Sequence, residues 1–125
     1  MSLLAFHDEG QRYSVVLEED REVAYAYLRD GHEIVGDVWL YNVGPAPAEP
    51  EWGDPEKMPF RNPAAFVRPG ALAPLAEPAR WSCTFEGSEA RVYCDGSLVA
   101  RIVPGAKPGW SVLAAKAGPL ALPLT

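Results

Sequence analysis

Nine of the thirteen prolines in this 125-residue chain fall within one stretch, Gly44 to Arg80. Prolines at 45, 47, 50, 55, 59, 63, 69, 74 and 78 leave no room for a long helix or a central strand, because proline lacks the N–H that both require. Yet the stretch also carries Trp52, Met58, Phe60, Phe66, Val67, Leu72 and Leu75, an apolar load foreign to a disordered linker. A long loop with packing residues of its own is expected to cover a core or to serve a function.

On both sides of this stretch the chain alternates. Tyr13, Val15 and Leu17 share one face against Ser14, Val16 and Glu18, and Trp81, Cys83 and Phe85 do the same against Ser82, Thr84 and Glu86. Period two with one polar face predicts half-buried antiparallel strands. Two sets of three follow, at 11–18, 22–29 and 33–43 and at 80–86, 89–94 and 97–103. Arg12-Tyr13-Ser14 and Asp30-Gly31 of the first set match Arg80-Trp81-Ser82 and Asp95-Gly96 of the second, as a duplicated unit would.

The expected fold is therefore mainly β: two antiparallel three-stranded meanders forming a small sandwich or half-open barrel, joined by a long proline-rich crossover. It forms a single domain over residues 1–125, with the first meander at 11–43, the crossover at 44–80, the second meander at 80–103 and a C-terminal segment at 104–125. The inner faces are predicted to include Val15, Leu17, Ile34, Val38, Leu40, Cys83, Phe85, Val92, Leu98 and Ile102. Strand 33–43 is apolar on both faces at Val38-Trp39-Leu40-Tyr41, so the crossover that follows it is the natural cover.

Turn chemistry refines this. Alternation favours a three-residue Cys94-Asp95-Gly96 loop that pairs Tyr93 with Ser97. A two-residue Asp30-Gly31 turn would set Tyr25 opposite Gly36 and Tyr27 opposite Ile34. Between Cys83 and Cys94 two registers stay open, directly opposite or offset by two. Asn62-Pro63 reads as a helix N-cap followed by proline at the first helical position. Trp110, Leu113, Ala114 and Ala117 have helical spacing, stopped by Gly118-Pro119, and the tail Leu120 to Thr125 is expected to dock extended.

Composition narrows the function classes. Net charge is −6, which disfavours a nucleic-acid backbone as partner. Residues 1–57 hold 13 acidic against 4 basic side chains, a net −9, while residues 58–125 hold 4 against 7, a net +3. The apolar start, Ser2 to Phe6, is too short for a signal peptide or a membrane span, so no membrane and a cytoplasmic location are expected. His7-Asp8-Glu9 next to it is expected to be solvated. The two cysteines have no metal-binding spacing and are expected to be reduced thiols.

No nucleophile elbow or phosphate loop is present, and no cofactor or metal is expected. Two candidate sites remain. The first is a binding surface made of Trp39, Tyr41, Trp52 and Phe60, which are equally suited to form core under the crossover, together with the acidic Glu49, Glu51 and Asp54. Such a surface suits a non-enzymatic module that meets a basic protein partner, or a homodimer through a strand edge or an aromatic patch. The second is a metal-dependent hydrolase built on His32, Glu33 and Asp37, with the proline-rich loop as a lid. Adjacent strand residues point to opposite faces, which ranks this below the binding module.

The run Ile34-Val35-Gly36-Asp37-Val38-Trp39-Leu40-Tyr41-Asn42, with Trp52, Pro59-Phe60, Asn62-Pro63 and Pro104 through Ser111, resembles an uncharacterised family of small bacterial proteins. The resemblance implies no activity, cofactor or catalytic residue. Eight arginines against three lysines suit a GC-rich bacterial genome.

Overall fold

Alternation in the sequence becomes two sheets in the computed structural model, which describes residues 1–124. The first runs in chain order through β1 (Ser2–His7), β2 (Tyr13–Glu19), β3 (Val23–Asp30) and β4 (Glu33–Asn42), all antiparallel. The second follows β5 (Trp81–Glu86), β6 (Glu89–Cys94), β7 (Ser97–Ile102), β8 (Trp110–Ser111) and β9 (Leu122–Pro123), antiparallel except for the parallel β8–β9 pair. The six strands of the two predicted meanders are all present, and no barrel closes. Among the described residues no helix is long and apolar enough to cross a membrane.

The inner faces bury Val15, Leu17, Ala26, Leu28 and Val38 from the first sheet and Ala90, Val92, Ala100 and Ile102 from the second, all at 0% exposure. Each large apolar side chain so buried contributes about 1.5–3 kcal/mol before entropy is counted. The sheets are also joined through main chain. The free edge of β4 bonds to the loop after β7, where Gly105 N donates to Val35 O (2.7 Å), Asp37 N to Ala106 O (3.0 Å) and Gly109 N to Asp37 O (2.7 Å). Gly36 permits this approach, since a Cβ there would lie 2.6 Å from Ile102 Cγ2 and 3.1 Å from Val103 O.

The crossover lies on the end of β4 as expected, held by one side chain that imitates a strand. Asn42 accepts from Asn62 N through Oδ1 (2.9 Å) and donates from Nδ2 to Asn62 O (2.8 Å). Both groups of the Asn62 peptide are thereby satisfied where they are buried, as buried main chain requires. Further along, Val67 bridges Ala114, Arg68 N donates to Leu113 O (2.7 Å), and Leu75 is 1% exposed. The crossover's regular structure is limited to single 3₁₀ turns at Pro55–Lys57, Ala64–Phe66 and Pro78–Arg80.

Several expectations are corrected. Asp95 (φ 52°) and Gly96 (φ 81°) form a two-residue turn that pairs Cys94 with Ser97, and a bulge beyond it restores the alternation. Val99 is buried at 3% in consequence, while Leu98 stays half-buried. The β3–β4 hairpin turns on Gly31-His32 rather than Asp30-Gly31, pairing Asp30 with Glu33. That turn puts Ile34 opposite Arg29 and 45% exposed on the outer face, and a bulge at Val35 then sets Leu28, not a tyrosine, opposite Gly36.

The helix expected over Trp110 to Ala117 is instead β8 followed by turns. The side chain of Asn62 does not cap the following turn, whose N-cap is Pro63. The segment before His7 is an edge strand paired with β2, and His7 itself is paired with Ser14. A Gly87-Ser88 turn offsets the cysteines, with Cys83 opposite Val92 and Cys94 opposite Trp81. The tail docks through β9 as an extended segment, and Thr125 lies outside the described residues.

Candidate binding face

The outer face of the first sheet is built in three rows, because register carries one residue from each strand into line. Leu3, Glu18, Tyr25 and Trp39 form the first row, Ala5, Val16, Tyr27 and Asp37 the second, and His7, Ser14, Arg29 and Ile34 the third. Ile34 and Asp37 share this face despite their odd separation because the bulge at Val35 shifts the alternation between them. In the first row the crossover hides the β4 end. Trp39 is 0% exposed, and the Tyr25 hydroxyl donates to Phe60 O (2.7 Å). Beyond that cover the face is open, with Leu3 58% exposed and Val16 and Tyr27 half-buried.

Glu18 and Asp37 flank the open part, with Arg29 and His32 toward its far end. Burial first, and then the charges of Glu18, Asp37 and Asp20, push the Tyr27 phenol up to about 12. Burial also raises Asp37 above its ordinary 3.8, opposed only by the charge of Lys107. Tyr25 and Tyr27 lie stacked, ring centroids 6.0 Å apart and 15° between planes. Two hollows meet at Tyr27. One, about 440 Å³, is lined by Val16, Glu18, Tyr27, Arg29, His32 and Ile34. The other, about 170 Å³, lies against Tyr25, Tyr27, Asp37, Met58, Phe60 and Leu120. A larger cleft of about 750 Å³ opens between Asp20-Arg21-Glu22 and the crossover, with charges of both signs on its walls.

The residues singled out from the sequence do not form one surface. Trp39 is core, its Nε1 donating to Asn42 Oδ1 (2.9 Å). Tyr41 donates to Glu19 and accepts from Leu75 N (3.2 Å). Trp52 packs edge-on against Phe66 at 5.4 Å. Phe60 alone of the four lines the open hollow. Of the acidic three, Glu49 and Asp54 are exposed, Asp54 accepting from Glu56 N (3.1 Å) to cap a 3₁₀ turn. Glu51 is 6% exposed and is occupied by Arg61, from its main-chain N (2.8 Å) and its Nη2 (2.9 Å). It therefore offers no free charge to a partner, which corrects its placement on an acidic surface.

His32 and Glu33 are exposed at the β3–β4 turn, and His32 and Asp37 line different hollows. Among the described residues no group of three or more His, Cys, Asp and Glu side chains is placed to hold a metal ion. Sequence reasoning missed Val16 and Tyr27 as a surface pair. The available signal was Val16 itself, an apolar residue on the otherwise polar side of β2. No protein-family model, no curated protein and no solved structure matches this chain.

Proposed function

We propose that the protein is a non-enzymatic binding module whose outer first-sheet face engages a basic protein surface. The observation that carries this reading is the half-covered face. The crossover shields the Trp39 side completely and leaves Leu3, Val16, Tyr27 and Ile34 open beside Glu18 and Asp37. Tyrosine and aliphatic contact area ringed by charge is what an interface centre with a polar rim needs. A basic partner suits it better than a second copy. A two-fold contact would have only Arg29 on this face to set against Glu18 and Asp37 of the second copy, whereas the lysines and arginines of a basic partner would be steered to both carboxylates.

The test is a pair of surface variants. Leu3→Lys with Ile34→Lys changes only exposed positions of this face, sets positive charge against a basic partner and is expected to shift stability by no more than about 0.5 kcal/mol. Immobilised wild-type protein should retain basic proteins from a host lysate that this variant loses. A control carrying Ser82→Lys and Thr84→Lys, exposed on β5 and of the same charge change, should retain them. Identical retention by all three proteins would sink the reading.

A further inference from the structure

The smaller hollow on this face has the make-up of a receptor for one cationic side chain. Its carboxylate, Asp37, is fixed by main chain on both sides, its N–H donating to Ala106 O (3.0 Å) and its C=O accepting from Gly109 N (2.7 Å). Tyr27 is its cross-strand neighbour, and the stacked Tyr25 is itself anchored through its hydroxyl to Phe60 O. The opposite wall is held too, since Trp39 N donates to Leu120 O (3.0 Å). These parts are set before any partner arrives, which lowers the cost of binding.

What the hollow lacks is a cation. Asp37 enters no ion pair within 4.0 Å among the described residues, although Arg12, Arg61, Arg80, Arg91 and Arg101 all do so with other carboxylates. Lys107 is the one nearby positive charge that favours its ionised form, and it stays beyond ion-pair distance. A partly buried carboxylate with no such partner, among aromatic rings, is a ligand-binding group waiting for its counterpart. The space of about 170 Å³ equals that of on the order of six waters at roughly 30 Å³ each, enough for a side-chain tip and too little for a folded element. Tyrosine faces beside a carboxylate favour a guanidinium, which stacks and forks, over an ammonium. The protein already stacks arginine on an aromatic ring elsewhere, with Arg101 4.3 Å from the ring centre of Trp110.

We propose that the hollow over Asp37, walled by Tyr25, Tyr27, Met58 and Phe60, receives the guanidinium of an arginine from the basic partner. This rests on the binding-face reading above and names the side chain that the face selects. Isotope-labelled full-length protein is titrated with N-acetyl-arginine methylamide, with the citrulline analogue as an uncharged shape mimic and the lysine analogue as a charge mimic. Arginine should shift the amide signals of Tyr27, Asp37 and Leu120 saturably, citrulline should not, and lysine should bind more weakly. Asp37→Asn should weaken the arginine response by roughly tenfold or more, as loss of a charge-assisted bond predicts.

An absent response, a citrulline response equal to that of arginine, or an undiminished response in Asp37→Asn would each overturn the assignment. Lysine binding as tightly as arginine would overturn the choice of guanidinium. The two readings fail separately. If arginine shifts nothing while the Leu3→Lys, Ile34→Lys variant still loses its partners, the hollow falls and the face stands. If arginine binds but that variant keeps every partner, the broader face falls.

Discussion

The outward faces of the two sheets are made from the same kind of strand and have been finished in opposite ways. On the second sheet the face is closed upon itself by charge. Arg91 meets Glu89 (2.6 Å) and Glu86 (3.1 Å), Arg101 lies 3.6 Å from the other oxygen of Glu89, and its guanidinium covers Trp110. Arg91 and Arg101 stand directly opposite each other across β6 and β7, and Glu89 reaches both, removing a like-charge pair that would otherwise be unfavourable. On the first sheet, Glu18 and Asp37 have no such pairing within 4.0 Å among the described residues, and Val16 and Tyr27 stand beside them in the rows that the two carboxylates occupy or adjoin. A face whose charges are internally matched has little to offer a partner. A face with free carboxylates and open aromatic area is the one a partner would complete.

The meanders beneath these faces are otherwise parallel in design. Arg12 forks onto Asp30 (3.1 and 3.0 Å) while its carbonyl accepts from Gly31 N (2.9 Å), and Arg80 forks onto Asp95 (2.9 and 2.6 Å) while its carbonyl accepts from Asp95 N (2.8 Å). Each clamp ties the start of a meander's first strand to its second hairpin. The clamps therefore do not explain why one face is open. The crossover and the surface residues do.

The strongest way to break the contrast is to remove the cover. Trp39→Ala is expected to cost about 3–5 kcal/mol, since it empties a fully buried site on a well-packed element, and to speed hydrogen exchange at Asn62, Val67 and Arg68. Trp110→Ala on the second face removes a half-exposed stack worth about 0.5–1 kcal/mol. Denaturant unfolding of both variants measures the difference. Equal losses would mean that the two faces are not built differently after all.

A second probe compares two carboxylates next to the same face. Glu51 is held below its ordinary 4.5, first by the side-chain bonds of Arg61, despite a burial penalty. A lowered folded-state value means that its contribution is complete above pH 4.5 and is lost as pH falls through the lowered value. Glu51→Gln should cost about 1.5–3 kcal/mol at neutral pH, the usual worth of bonds to a charged group, and should flatten the acid arm of the stability profile. An unchanged acid arm in the variant would remove Glu51 from this role.

How far these features could be read beforehand follows from what sets them. The strands of the two meanders were legible because alternation is local, and their observed ends fall within two residues of the predicted ones. The first strand was not, because Leu3-Leu4-Ala5-Phe6 is apolar at every position and shows no period. Helical spacing at Trp110, Leu113, Ala114 and Ala117 misled because a buried irregular segment also needs apolar residues at short intervals. The Asp95-Gly96 register was ambiguous for a physical reason. A three-residue loop with its bulge at Gly96 and a two-residue turn with a bulge further along the strand both return alternation to the core side, and here the second was used. The candidate site was the least legible part. Ala5, Val16, Tyr27 and Asp37 come from four strands whose registers the sequence pattern leaves open, and Asp37 joins the row only through the bulge at Val35.

Asp37 gives the finest test of the contrast, because its expected effect on stability has the opposite sign to that of Glu51. Burial raises it above 3.8, with only Lys107 opposing. For a raised value, stability is fully present below pH 3.8 and is lost as pH rises through the raised folded-state value, so at neutral pH the ionised carboxylate burdens the fold. Asp37→Asn should therefore be neutral or stabilising, by no more than about 0.5 kcal/mol, and should reduce the loss of stability between acid and neutral pH. Thermal unfolding across that range reads both effects. A neutral-pH loss above about 1 kcal/mol would make Asp37 a structural residue like Glu51 and erase the distinction between the faces. A neutral or stabilised variant that no longer binds arginine would mark Asp37 as a residue retained at the expense of stability, the usual signature of a group that serves binding rather than folding.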